Sequence, residues 1–143
     1  MLNDRLSQLG FIPPQTPSRH FDISHWSENK IPNDHIYSVT EKVDNITLSR
    51  GSYLYAEAKY AGSFRLEEGA VLVAPNLEKC NSVLLSRGAK AWLPKLKKTE
   101  EGWFAGSDIN RNGTVLVEED ALLVTNSKAK FKYRIGNGQI IFE

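Results

Sequence analysis

The chain has 143 residues, 41% hydrophobic and 24% charged, which is the size and composition of a single globular domain spanning residues 1–143. A net charge of +1 gives no global attraction for nucleic acid or an anionic membrane, and a single cysteine, Cys80, excludes an internal disulfide framework. The first ten residues, MLNDRLSQLG, lack the apolar run of a secretory signal. We therefore expect a cytoplasmic protein with no nucleic-acid partner and no membrane association.

Residues 1–42 do not repeat and are predicted to form a mixed N-terminal cap. A short helix is expected to carry Leu6 and Leu9 and to stop at Gly10, before the prolines that follow. Residues 36–39 read as a strand. An atypical end segment is what a stacked repeat needs to cover its exposed terminal face.

The same segment holds all three histidines. His20, His25 and His35, together with Asp22, are side chains that bind metals or act in acid–base catalysis. No predicted helix fixes their geometry, and histidines at the surface or in a cap are the commoner explanation. The alternative hypothesis of a small enzyme places its site here.

Residues 43–126 contain a repeat anchored on Gly51, Gly69 and Gly88, with a fourth copy on Asp120. Apolar residues recur five and three positions before each anchor and three and five positions after it. Before the anchors they are Ile46, Leu48, Phe64, Leu66, Val83, Leu85, Val115 and Val117. After the anchors they are Leu54, Ala56, Leu72, Ala74, Ala91, Leu93 and Leu123, with Thr125 closing the fourth copy. Alternation within copies about 19 residues apart predicts a mainly β fold, a short parallel β-solenoid of about four rungs.

The residues just before the anchors alternate in charge: Arg50, Glu68, Arg87 and Glu119. Neighbouring rungs place equivalent residues about 4.8 Å apart, so opposite charges on adjacent rungs attract. We expect a surface ladder that helps to fix the register. Its contribution to stability is small, because exposed ion pairs contribute little.

The stretch EEGAVLVAPNL, residues 67–77, resembles short parallel β-strand repeats found in bacterial and phage proteins, most of them uncharacterised. The likeness covers roughly residues 43–98, with a degraded copy at 114–125. Such relatives look like binding scaffolds without a shared catalytic site. The resemblance therefore implies a shape and a bacterial or phage origin, and no particular activity.

An insertion at residues 99–113 separates the third and fourth copies. It carries Trp103 and Phe104 within a polar, glycine-rich stretch. Insertions in repeat proteins commonly form the binding face, and aromatic side chains are favoured interface anchors. The alternative is that the two aromatics plug an end of the solenoid.

Residues 108–119 also match the calcium-loop pattern D-x-[DN]-x-[DN]-G-x5-E. The pattern resembles an EF-hand loop, with Asp108, Asn110, Asn112, Thr114 and Glu119 as the oxygen ligands. The preceding glycines and the strand period of residues 114–117 favour a turn leading into a strand instead. Ca²⁺ is thus the only cofactor that the sequence suggests, and the expectation is that none is bound.

Residues 127–143 read as a C-terminal β-hairpin. KFKYRI, residues 130–135, alternates strictly, GNG turns the chain, and QIIF, residues 139–142, returns. Lysines on such an edge protect it from aggregation.

These patterns favour a non-catalytic module that binds another protein, such as an inhibitor or immunity-type protein that acts by steric occlusion. The predicted binding residues are Trp103 and Phe104 of the insertion with Arg50, Glu68 and Arg87 of the ladder.

Overall fold

The computed structural model describes residues 8–11, 19–23, 29–99 and 113–143. Within them the chain forms fourteen strands. Their bounds are β1 (Arg19–His20), β2 (Asn29–Ile31), β3 (Ile36–Val39), β4 (Val43–Leu48), β5 (Tyr53–Ala56), β6 (Tyr60–Leu66), β7 (Val71–Val73), β8 (Lys79–Leu85), β9 (Lys90–Leu93), β10 (Lys98–Thr99), β11 (Thr114–Val117), β12 (Leu122–Thr125), β13 (Tyr133–Ile135) and β14 (Gln139–Phe142).

The strands form two parallel sheets. Sheet A has the order β1-β3-β5-β7-β9-β12-β14, and sheet B has the order β13-β11-β8-β6-β4-β2, with β10 also pairing with β8. From β2 onward each rung consists of a strand of sheet B, a chain reversal and a strand of sheet A. The fold is therefore a parallel β-solenoid of about six turns. The predicted fold class is confirmed. No helix in the described ranges is long and apolar enough to cross a membrane.

The register follows the repeat that the sequence predicts. In sheet B, Ile46 pairs with Phe64, Phe64 with Val83, and Val83 with Val115. These are the residues five positions before the four anchors. A shift of one residue would turn every apolar side chain from the interior to the solvent, so burial fixes this register.

The anchors owe their identity to backbone geometry. Gly51, Gly69 and Gly88 have φ angles of 72°, 73° and 72°, and Asp120 takes the same left-handed conformation at 64°. Glycine enters this region without a Cβ clash, and aspartate tolerates it better than most residues. Each anchor turns the chain from sheet B into sheet A.

Two predicted details are corrected. β13 and β14 do not pair with each other as a hairpin, because each adds parallel to the previous rung, β13 to β11 and β14 to β12. The N-terminal segment also contributes a rung, in which Asp34 stands at the anchor position. Ile31, three residues before it, pairs with Leu48, and Tyr37, three residues after it, pairs with Leu54. The two ends account for the difference between four predicted rungs and about six.

The main core lies between the sheets. Phe64, Leu66, Leu72, Val83 and Leu85 are completely buried there. Burial of one such side chain stabilises the fold by about 1.5–3 kcal/mol. The stack therefore gains its stability rung by rung.

A second apolar cluster lies on the outer face of sheet A. Phe11 is completely buried and packs with Val73, Trp92 and Val124, whose side chains point away from the main core. Lys90 Nζ, on β9, donates a hydrogen bond of 3.3 Å to the Gly10 carbonyl. The segment 8–11 thus straps across the outside of sheet A.

Candidate functional site

The solenoid has two corners, and their charges differ in sign. The anchor corner comprises the turns from sheet B to sheet A, residues 32–35, 49–52, 67–70, 86–89, 118–121 and 136–138. It carries two arginines and six carboxylates: Arg50, Arg87, Asp34, Glu67, Glu68, Glu118, Glu119 and Asp120.

The lysine corner comprises the opposite turns, residues 40–42, 57–59, 74–78, 94–97 and 126–132, with the adjoining strand ends. It carries nine lysines and four glutamates: Lys42, Lys59, Lys79, Lys95, Lys97, Lys98, Lys128, Lys130, Lys132, Glu41, Glu57, Glu78 and Glu143. The net charge of +1 for the whole chain conceals this separation. Surface potential depends on where charges lie as well as on their sum.

The predicted charge ladder forms in part at the anchor corner. Arg50 Nη2 lies 3.6 Å from Glu68 Oε1, as the alternation predicts. Arg87 Nε lies 3.6 Å from Oδ2 of the anchor residue Asp120, whereas the alternation predicts a pair with Glu119. These side chains are mostly exposed, so each pair contributes at most about 1 kcal/mol. Their charged groups remain accessible to a partner.

Backbone hydrogen bonds stack the turns of the lysine corner. The Glu78 N–H donates to Lys59 O at 2.8 Å, the Lys97 N–H to Glu78 O at 2.7 Å, and the Lys130 N–H to Lys97 O at 2.9 Å. Lys59, Glu78 and Lys97 therefore stack in one column on successive turns, and Lys130 lies beside Lys98, one position further along. Parallel-strand spacing puts these residues about 4.8 Å apart.

One ion pair lies within this column. Lys97 Nζ is 2.7 Å from Glu78 Oε1, and the Glu78 side chain is only 21% exposed. The hydrogen bond from Lys97 holds the pKa of Glu78 below its ordinary value, with the positive charges of Lys59 and Lys79 acting in the same direction. The pair raises the pKa of Lys97 in turn. The carboxylate is thus surrounded by cationic groups.

A groove of about 580 Å³ opens beside this pair, between the turns 94–97 and 126–128. Lys95, Lys97 and Lys128 line it, and Glu143 brings a carboxylate to the same groove. Asn126 fixes its walls, since Asn126 Nδ2 donates to Pro94 O at 3.0 Å and to Leu96 O at 2.7 Å. The groove is therefore built into the stacked turns.

The described histidines do not form one site. His20 Nε2 lies 2.7 Å from Glu41 Oε1 and 3.9 Å from Asp22 Oδ1. His35 Nδ1 lies 3.1 Å from Asp34 Oδ2. His20 is in register with Ser38 of the neighbouring strand. Ser38 lies three residues, about 10 Å of extended chain, from His35. The two imidazoles thus have different carboxylate partners, and His25 lies outside the described residues.

The calcium-loop residues are described only in part. Thr114 is buried at the start of β11, and Glu119 is exposed in the turn that follows this strand. Asp108, Asn110 and Asn112 lie outside the described ranges. The strand 114–117 occupies the place where an EF-hand loop leads into its second helix. Among the residues that the structure describes, no group of three or more His, Cys, Asp or Glu side chains is arranged to hold a metal ion.

Trp103 and Phe104, the predicted binding aromatics, also lie outside the described residues. Cys80 lies in β8 and is completely buried. Burial raises the pKa of the Cys80 thiol to about 12, so the group stays protonated and unreactive at neutral pH.

The apolar repeat by itself does not predict the lysine corner. Its lysines belong to separate turns and meet only when the rungs stack. A signal was present, because Lys42, Lys59, Lys79 and Lys98 recur at spacings of 17, 20 and 19 residues. Charged residues at the period of a solenoid lie on one ridge.

Comparisons with protein-family models, with curated proteins and with solved structures found no match to this chain.

Proposed function

We propose that this protein is a non-catalytic protein-binding scaffold of the inhibitor or immunity type, acting by steric occlusion of its partner. The observation that supports this most directly is the rigid display of charge on stacked turns. A backbone that is already ordered loses little conformational entropy on binding, and preorganisation of this kind improves affinity.

The anchor corner supplies the orienting charges in this proposal. The Gly51 N–H donates to Glu68 O at 3.1 Å, and the Gly69 N–H donates to Arg87 O at 3.2 Å. The backbone that carries Arg50, Glu68 and Arg87 is therefore held turn upon turn. Charge arranged in this way sets the orientation and the association rate of a complex more than its affinity.

Trp103 and Phe104 supply the apolar anchors in this proposal, on the sequence argument alone. Aromatic side chains at the hot spots of an interface cost about 2 kcal/mol or more when truncated to alanine, whereas charges at its rim contribute little. The two groups of residues thus have separable roles. Loss of the aromatics removes binding, and loss of the arginines weakens or slows it.

The test is a pull-down from a lysate of the source organism, with wild type beside Trp103→Ala/Phe104→Ala and beside Arg50→Ala/Arg87→Ala. We expect one stoichiometric partner, absent with the aromatic variant and reduced with the arginine variant. Circular dichroism checks that each variant is folded.

Tyr60→Ala/Tyr133→Ala is the matched control, because it removes two aromatics outside the insertion in the sequence, which are exposed by 37% and 52%. Retention of the partner by this control and its loss with Trp103→Ala/Phe104→Ala supports the proposal. No stoichiometric partner for the wild type, or equal loss in both aromatic variants, contradicts it.

A further inference from the structure

We propose that the groove at the lysine corner binds an extended acidic segment of the partner protein, rich in Asp and Glu side chains. This inference rests on the proposed function and adds the chemistry of the partner. It concerns the corner opposite to the arginine ladder, so the two can be tested separately.

Charge complementarity is the first argument. Lys97 is engaged by Glu78 at 2.7 Å, whereas the ammonium groups of Lys95 and Lys128 have no ion-pair partner within the described residues. Among the lining residues that the structure describes, Glu143 is the one other carboxylate. With Lys130 in register beside Lys98 on the next turn, the surroundings are cationic as well. An incoming carboxylate gains charge-assisted hydrogen bonds to lysine without displacing an existing pair.

Rigidity is the second argument. Asn126 uses both functions of its amide, because its Nδ2 donates to the Pro94 and Leu96 carbonyls while its Oδ1 accepts from the Lys128 N–H at 2.9 Å. The turns that carry Lys95 and Lys128 are thereby linked to each other. The two ammonium groups stand on a fixed frame, and little ordering of the backbone accompanies binding.

Shape is the third argument. The groove holds about 580 Å³, and the partly exposed Pro94 contributes apolar surface between the lysines. An extended peptide lays alternate side chains against a surface and leaves the others in solvent. A groove that is apolar within and cationic at its rim suits a segment that alternates acidic and small apolar residues.

The experiment measures the fluorescence anisotropy of a labelled ten-residue peptide, alternating Glu and Ala, against a peptide with Gln in place of Glu. Wild type is compared with Lys95→Gln/Lys128→Gln and with the matched control Arg19→Gln/Arg134→Gln, which removes the same charge from two exposed arginines outside both corners. We expect the Glu peptide alone to bind wild type, with an affinity that falls as NaCl rises. The lysine variant is expected to bind about tenfold more weakly, and the arginine control to bind like wild type.

Three results would overturn the inference. One is no binding of the Glu peptide to the wild type, and another is equal weakening in both variants, which would indicate a response to net charge alone. The third is tighter, lysine-dependent binding of single-stranded DNA of equal charge, which would identify a nucleic-acid groove instead. If the lysine variant keeps the partner in the pull-down while Trp103→Ala/Phe104→Ala loses it, the proposed function stands and this inference fails.

Discussion

Substitution of Gly69 measures how much the left-handed backbone conformation costs in free energy of unfolding, without a contribution from steric crowding. Its φ is 73°, and a Cβ placed there meets no atom closer than 4.0 Å. Gly69→Ala therefore fits sterically but forces an L residue into the left-handed region, which costs about 1–2 kcal/mol. We expect a lower urea midpoint with an unchanged m-value.

Gly69→Asn is the matched substitution, because asparagine tolerates the left-handed region. It is expected to lose clearly less stability than the alanine variant. Equal losses in the two variants would show that the anchors are needed for a reason other than φ.

Asp44 is a carboxyl whose ionisation opposes folding. Its Oδ1 atom is buried without a hydrogen-bond partner in the described part of the chain, and burial raises its pKa above the ordinary value of 3.8. A folded-state pKa above the unfolded one lowers stability as the pH rises through that window, and the loss persists at neutral pH. Asp44→Asn is thus expected to raise the thermal midpoint at pH 7, with a gain in the free energy of unfolding of no more than about 1 kcal/mol because the group is partly exposed. The gain should vanish below about pH 3.8.

Asp34 provides a control of opposite sign. The Tyr37 hydroxyl donates to Asp34 Oδ1 at 2.8 Å and holds the pKa of that carboxyl below its ordinary value. Its contribution to stability is present above the unfolded pKa and is lost as the pH falls through the folded one. Asp34→Asn should therefore lower the midpoint at pH 7. Thermal scans of both variants from pH 3 to pH 7 check the two signs, and a stabilised Asp34→Asn or a destabilised Asp44→Asn would contradict them.

The strap of residues 8–11 depends on one large side chain. Phe11 is completely buried against Val73, Trp92 and Val124. Phe11→Ala is expected to cost about 3 kcal/mol, the lower end for a buried phenylalanine, because the strap can detach while the solenoid remains. Urea unfolding measures the loss, and acrylamide quenching should reveal a more accessible Trp92.

Lys90→Ala is the control for this contact, since it removes only the partly exposed hydrogen bond to the Gly10 carbonyl. Its cost should stay below about 1 kcal/mol. A Phe11→Ala protein as stable as the wild type would show that the strap does not hold the outer face of sheet A.

The strands that the sequence predicts well are those with an intact anchor. Leu48 and Leu85 lie at the predicted register because apolar alternation and a left-handed glycine act together there. The first rung is not predicted from the sequence, because Asp34 stands at the anchor position in place of glycine and Asn29 stands at an apolar position of the repeat. The last rung reads as a hairpin because a shortened turn, with Gly136 at a φ of 101°, resembles a two-strand loop.

The outer apolar face and the lysine corner depend on long-range geometry. YLYA of β5 and VLV of β7 are apolar on both faces, which is the pattern of strands covered on both sides. The repeat that predicts the rungs contains only the inward half of that pattern. What covers the outer half is Phe11, distant in the chain, and only the stacked structure brings the two together.

Because strand pairing joins only adjacent rungs within the described residues, the molecule behaves as a nearly one-dimensional stack whose stability is approximately a sum over rungs. The pairs Leu66↔Leu85 and Val71↔Lys90 are both offset by 19 residues. Deletion of residues 70–88 therefore removes one full turn and leaves the register of the remaining turns intact. Strand β9 then lies on β5, with Ala91 above Leu54.

We expect this shortened protein to fold with an unchanged β-sheet spectrum per residue and a urea m-value lower by about one-eighth, the share of the chain removed. Its free energy of unfolding should fall by about 1–3 kcal/mol, at 0.05–0.15 kcal/mol for each deleted residue. Deletion of residues 70–79 is the control, because a half-turn places strand β8 where a sheet A strand belongs and exposes its buried side chains. Urea denaturation followed by circular dichroism compares the two, and an unfolded 70–88 deletion or a folded 70–79 deletion would contradict the independence of the rungs.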